Sequence, residues 1–294
     1  MIESEPAFDA IRRDGVLRVS RPETEWLSTG WNGGRRVADH AYNISVPEGW
    51  DRTDLSAYVD ERLERAGFQR TAADATGPAL LTGVEIEDAC GARCGPVTAY
   101  ATAGVSNPAA LPISQDPSSE MDTKMKSESE ATVPETGQAG LERGQGERQG
   151  QRQGQGQRQG QRQGQGQGTV NVIVGTERAL APGALANLIA VAAEAKAATL
   201  LAETGFPGTT TDAVVVGHDP SGTPTDFSGS ATEVGGATRA CVREAVRAAL
   251  RVHYTDSDVV LPESVADAAY GVSTDVRAAV FRPRGPDEAA EPEG

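Results

Sequence analysis

The chain has 294 residues, 42 acidic and 27 basic, with hydrophobic residues at 38% and aromatics at 4%. A formal net charge of −15 argues against a nucleic-acid partner, and no apolar run is expected to approach the ~18 residues of a membrane span. The start, MIESEPAF, has neither a basic nor an apolar leader region, so a cytoplasmic protein is expected.

In chain order, a strand is predicted near Val16–Val19 and another at His40–Val46. A helix over Asp54–Ala66 follows from Leu55, Tyr58, Val59, Arg62, Leu63 and Ala66 at helical spacing, with Gly67 as its stop. Strands are predicted at Ala79–Val84 and Val97–Gly104. From Ile113 to Gly168 aliphatic residues almost vanish, and Gly144–Gly168 contains only Gly, Gln, Arg and Glu. Such a stretch cannot bury enough apolar surface to offset its ordering entropy, so it reads as a disordered insert in one loop. Beyond it come a buried strand at Thr169–Val174 and a long helix from Pro182 to about Glu203. A strand at Thr211–Val216, a last helix at Gly236–Tyr254 and an acidic tail from Arg282 complete the series.

The expected organisation is one α/β (α+β) domain, residues 1–112 and 169–281, interrupted by the insert at 113–168 and ended by the tail at 282–294. Each half offers strand, helix, strand, with the long helices falling between strand groups rather than in strict βαβ alternation. That order predicts a mixed sheet, or two layered sheets, flanked by helices.

The basic residues are almost all Arg, since Lys occurs only at Lys124, Lys126 and Lys196. A surface dense in carboxylates and nearly free of Lys stays hydrated where salt screens ordinary charges, which points to a salt-loving cytoplasm. Cys90, Cys94 and Cys241 cannot form a disulfide scaffold in a chain of this length. Cys90 and Cys94 sit four apart in CGARC but have no second pair at ligand spacing, so no metal is expected. The loop around Gly30, Gly33 and Gly34 fits no phosphate-binding fingerprint.

Polar clusters gather at the ends of predicted strands, where sites are commonly built. They are Ala101–Pro108 with Thr102 and Asn107, Gly168–Leu180 with Thr169 and Asn171, and Gly208–His218 with Thr210, Thr211 and Asp212. Lys196, beside Glu194 in the long helix, is the only Lys outside the insert, where Arg would serve any generic surface role. His218, after a strand and beside Asp219, is a candidate base, whereas His253 on the apolar side of the last helix reads as a satisfied core residue.

These same segments carry a resemblance. ATAGVSNP, GTVNVIVG followed by Leu180, the AxxAEAKAATL helix, TTTDAVVVGH and Gly229, Thr232 and Gly235 resemble the adenosylcobinamide amidohydrolase family of archaeal corrinoid salvage. The resemblance spans roughly Leu17 to Val252, without the insert. It implies hydrolysis of the amide joining the aminopropanol arm to the corrin of adenosylcobinamide, giving adenosylcobyric acid and 1-aminopropan-2-ol. It implies no cofactor, cobalt entering only within the corrinoid substrate, and it leaves a homo-oligomer open. The stretch from Gly168-Thr169 through GTERALAPGAL is also similar to self-processing aminopeptidases and ornithine acetyltransferases, whose nucleophile is a Ser or Thr freed by chain scission.

Thr169 is therefore the expected nucleophile, with Asn107 or Asn171 as an amide donor and Lys196 as a tuned amine. Asp212 or Glu194 activating water is the competing scheme, and Thr102, Thr210, Thr211 and His218 are expected to line the substrate pocket. A non-catalytic corrinoid-binding protein on the same scaffold is the alternative function.

Overall fold

The computed structural model describes residues 7–47, 49–68, 77–113, 168–255 and 259–283. All but the end residues of the insert, and the tail from residue 284, lie outside the described residues. The elements below all belong to one unit, Met1–Leu111 with Gly164–Gly294.

The sheet contains β1 (Asp9–Arg13), β2 (Val16–Ser28), β3 (Gly34–Ser45), β4 (Ala79–Thr82), β5 (Cys90–Cys94), β6 (Val97–Ala103), β8 (Val170–Leu180) and β9 (Ala213–Thr225). Its order is β4-β3-β2-β9-β8-β6-β5, with β1 paired to the first part of β2. The short strands β7 (Ala109–Ala110) and β10 (Val272–Ser273) pair separately. Three α-helices stand among the described residues: α1 (Leu55–Arg65), α2 (Pro182–Thr204) and α3 (Glu233–Thr255).

The sheet is mixed, as expected. Parallel neighbours need a crossover, and there are two: β3–α1–β4, with Tyr42 opposite Ala79, and β8–α2–β9, with Asn171 opposite Ala213. Each half of the chain therefore holds one βαβ unit, in line with its strand, helix, strand order, while the sheet as a whole does not alternate strictly. The remaining pairings in the sheet are antiparallel.

Helix boundaries follow local chemistry. The Asp54 carboxylate accepts from Ala57 N–H at 3.1 Å and caps α1, and Gly67 ends it at φ 67°. Pro182 opens α2 where its missing N–H costs nothing, and Gly205 closes it at φ 78°. α2 has 23 residues and an 18-residue window of mean hydropathy 1.5, so by length and composition it could cross a membrane. That amends the expectation that no run approaches this length. Here it lies over the sheet and buries Leu185, Leu188, Ala192 and Leu200 among others.

α2 and α3 cover one face of β5, β6, β8 and β9, where Val172, Val174 and Val216 meet Cys241, Val242 and Val246. Each such side chain taken from water contributes roughly 1.5–3 kcal/mol. A second cluster, around Phe8, Trp26, Ile173 and Val215, includes two residues that lie against paired glycines. A Cβ on Gly175 would come within 2.3 Å of Phe8, and one on Gly217 within 2.4 Å of Trp26. The glycines therefore let two aromatic rings lie directly on the sheet. α1 makes the third cluster with Tyr42, Ile44, Tyr58 and Leu63.

Several strands run longer than predicted. β2 continues past Pro22 because a register shift between Ser20 and Thr24, with Glu23 at φ 53°, carries the proline outside the ladder. β9 continues past Pro220 in the same way, regaining its partner at Thr223. β5 has no apolar alternation to reveal it. Cys90 and Cys94 stand at its two ends, about 13 Å apart at strand spacing, too far to share one ion.

Candidate active site

The loop Gly208–Asp212, the entry to β8, the segment after β6 and the middle of α2 converge on one polar cluster. Lys196 reaches from α2 to pair with Asp212 Oδ2, and their side chains are 9% and 11% exposed. Asp212 also accepts from Val170 N–H at 2.8 Å, from Thr209 N–H at 3.1 Å and from the Thr209 hydroxyl. A carboxylate with four donors has its lone pairs engaged, and it ties the loop to the ammonium.

Thr169 is buried, and its Oγ1 lies 2.9 Å from the Thr211 Oγ1. The preceding Gly168 donates its N–H to Ser106 Oγ at 2.5 Å. Only glycine fits at position 168, because a Cβ would lie 2.4 Å from Ser106 N and 2.7 Å from Gly104 O. Asn107 donates from Nδ2 to Thr210 Oγ1 at 2.6 Å, and its main-chain carbonyl oxygen accepts Thr210 N–H at 3.2 Å. Thr169, Thr210, Thr211, Asp212, Lys196 and Asn107 are thus gathered in one place.

Four expected site residues stand elsewhere. Glu194 is on the solvent side of α2, its side chain 64% exposed and facing Arg239 at 3.5 Å, because two residues along a helix turn away from Lys196. His218 lies inside β9 rather than after it, six residues or about 20 Å along the strand from Asp212. Its Nδ1 accepts Leu180 N–H at 3.1 Å and its Nε2 faces Glu25 Oε1 at 3.2 Å, so the ring is held by its neighbours. Thr102 and Asn171 are opposite each other on β6 and β8, fully buried behind the cluster.

Asn43, unnoticed in the sequence, joins these last two. It donates to Thr102 Oγ1 at 2.9 Å and accepts from Asn171 Nδ2 at 3.0 Å. Asn171 also donates to Leu81 O at 2.9 Å and accepts Ala213 N–H at 3.2 Å. The trio's hydrogen bonds run within the protein and tie β3, β4, β6, β8 and β9 together. The overlooked signal was a polar residue inside the otherwise apolar end of HAYNIS, since buried Asn needs partners. Thr209 was also missed, being one of three adjacent threonines that spacing cannot rank.

His253, expected in the core, is half-buried. Its Nδ1 is 2.8 Å from Asp88 Oδ2, and its ring packs edge-on against Tyr254.

Two hydroxyls in contact, a buried ammonium and the Asn107 amide thus stand together where strands end. Over residues 2–258 the sequence matches the adenosylcobinamide amidohydrolase family, and the chain belongs to that family. It is 49% identical over 276 residues to the adenosylcobinamide amidohydrolase of Halobacterium salinarum, covering 94% of this chain and 100% of that protein. Among solved structures, the PH0078 protein of Pyrococcus horikoshii OT3 aligns with a TM-score of 0.38 and 12% identity over 85% of this chain and 82% of its own.

Proposed function

We infer that this protein hydrolyses adenosylcobinamide at the amide of its aminopropanol arm, releasing adenosylcobyric acid and 1-aminopropan-2-ol. The observation that carries this reading is the 49% identity, across 94% of the chain, to a relative that bears the activity's name.

In this reading the Thr169 hydroxyl attacks the amide carbon and passes its proton through the Thr211 hydroxyl to the departing amine. The Lys196 ammonium, kept in place by Asp212, supplies positive charge where the carbonyl oxygen becomes negative. Water then hydrolyses the ester left on Thr169. If Thr169 is instead freed by scission after Gly168, its own amine takes the proton. Intact-mass spectrometry separates the two, since an uncut chain removes the self-processing version. The cytoplasm is the proposed compartment, where no cofactor beyond the substrate's own cobalt is used.

The direct test is mass spectrometry of adenosylcobinamide incubated with the protein in high salt. Appearance of adenosylcobyric acid is expected. Unchanged substrate with folded protein would overturn the hydrolysis.

A further inference from the structure

Past α3 the chain runs on as a strap, residues 259–283, which lies beyond the stretch matched by the family. It carries a short 3-10 turn, Val265–Asp267, closed by a capping box between Ser264 and Asp267. β10 then pairs in parallel with β7, Val272 N–H donating to Pro108 O at 2.9 Å and Thr274 N–H to Ala110 O at 3.0 Å. The strap is thereby fastened to the segment that follows Ser106 and Asn107.

A cleft of about 270 Å³ separates the two, walled by Ser106 on one side and by Leu261, Pro262, Glu263, Asp267 and Ala268 of the strap on the other. Ser106 is the residue that holds Gly168, directly before Thr169. Its neighbour Asn107 is 3% exposed, yet its Oδ1 has no hydrogen-bond partner. Asn107 does not itself wall the cleft, so this buried unpaired acceptor marks the segment beside it rather than the cleft.

We propose that this cleft binds the amino-alcohol arm of the amide substrate, so that the strap determines which amine the enzyme releases. The proposal rests on the hydrolysis inferred above. At the ~30 Å³ that one water occupies in the liquid, an arm of five heavy atoms needs on the order of 150 Å³, and the ring system stays outside. Leu261, Pro262 and Ala268 offer apolar surface to the arm's methyl group. Glu263 and Asp267 place negative charge where the released amine becomes an ammonium ion.

Steady-state kinetics of the full-length protein with adenosylcobinamide and with its ethanolamine analogue, which lacks the methyl group, test this. The wild-type protein is expected to prefer the methylated arm by about tenfold in kcat/KM, the low end of what one such group decides. Ala268→Phe fills the cleft and should raise KM about tenfold, leave kcat nearly unchanged and erase the preference. Glu263→Gln, at an exposed position that folding tolerates, should weaken inhibition by free 1-aminopropan-2-ol severalfold. Unchanged KM, preference and product inhibition in these variants would overturn the cleft assignment. Absence of turnover by the wild-type protein would overturn the hydrolysis itself. Should Ala268→Phe lose its circular dichroism, the analogue pair and Glu263→Gln decide alone.

Discussion

At Asp212, four donors meet one carboxylate, and the single Lys of the described residues is one of them. Removing one member of so buried a pair leaves the other charge uncompensated. Lys196→Met or Asp212→Asn is expected to cost about 3 kcal/mol, read as a fall in the denaturant midpoint. The double variant should be clearly more stable than the two losses added, and additive losses would show that the pair is not coupled. At Thr169 the expected result is sharper. Thr169→Ala should lower kcat at least about 100-fold with little change in fold, and Thr169→Ser should restore much of it. A kcat kept by the alanine variant would move the nucleophile elsewhere. Lys196 was legible in the sequence because the only Lys outside the insert of an Arg-rich chain needs a reason. The exclusion of Glu194 was not, since which way a helical residue points depends on what the helix packs against.

Among the elements, the crossovers and the paired glycines matter most. The apolar runs at β6, β8 and β9 and the capping signals of α1 and α2 could be read directly, because burial on both faces and helix ends leave local marks. Register could not. The bulges at Pro22 and Pro220 are decided by neighbouring strands, and so is the contact of Trp26 with Gly217. Gly217→Ala should therefore destabilise by about 1–3 kcal/mol through overpacking, measurable as a lowered thermal midpoint. Buried acids on these elements also set an alkaline limit. Burial pushes the Tyr100 phenol and the Cys241 thiol each up to about 12. Both must stay neutral in the fold but ionise freely when unfolded at pH ~8.5–10. Their contribution is whole below that range and is lost as pH rises towards about 12, so unfolding free energy should decline over this window. A flat profile there would show that neither group is coupled to folding.

For the whole molecule, a net charge of −15 dominates. Mutual repulsion opposes the compact state, and salt shortens its reach from about 10 Å at 0.1 M to 3 Å at 1 M. The thermal midpoint is expected to climb between these concentrations of KCl, and a midpoint that stays level would remove charge repulsion as the limiting factor. Composition, charge, the low-complexity stretch and the ordered motifs are properties of the chain itself, so the mixed α+β class, the family and most of the polar cluster were within reach of the sequence. Three features arise only from contacts between residues distant in the chain. They are the separation of Thr102, Asn171 and His218 from the cluster, the part played by Asn43, and the cleft formed when residues 259–283 return to β7. Their physical basis is that a polar side chain's role depends on which partners satisfy it, and those partners are brought together by strand pairing rather than by spacing.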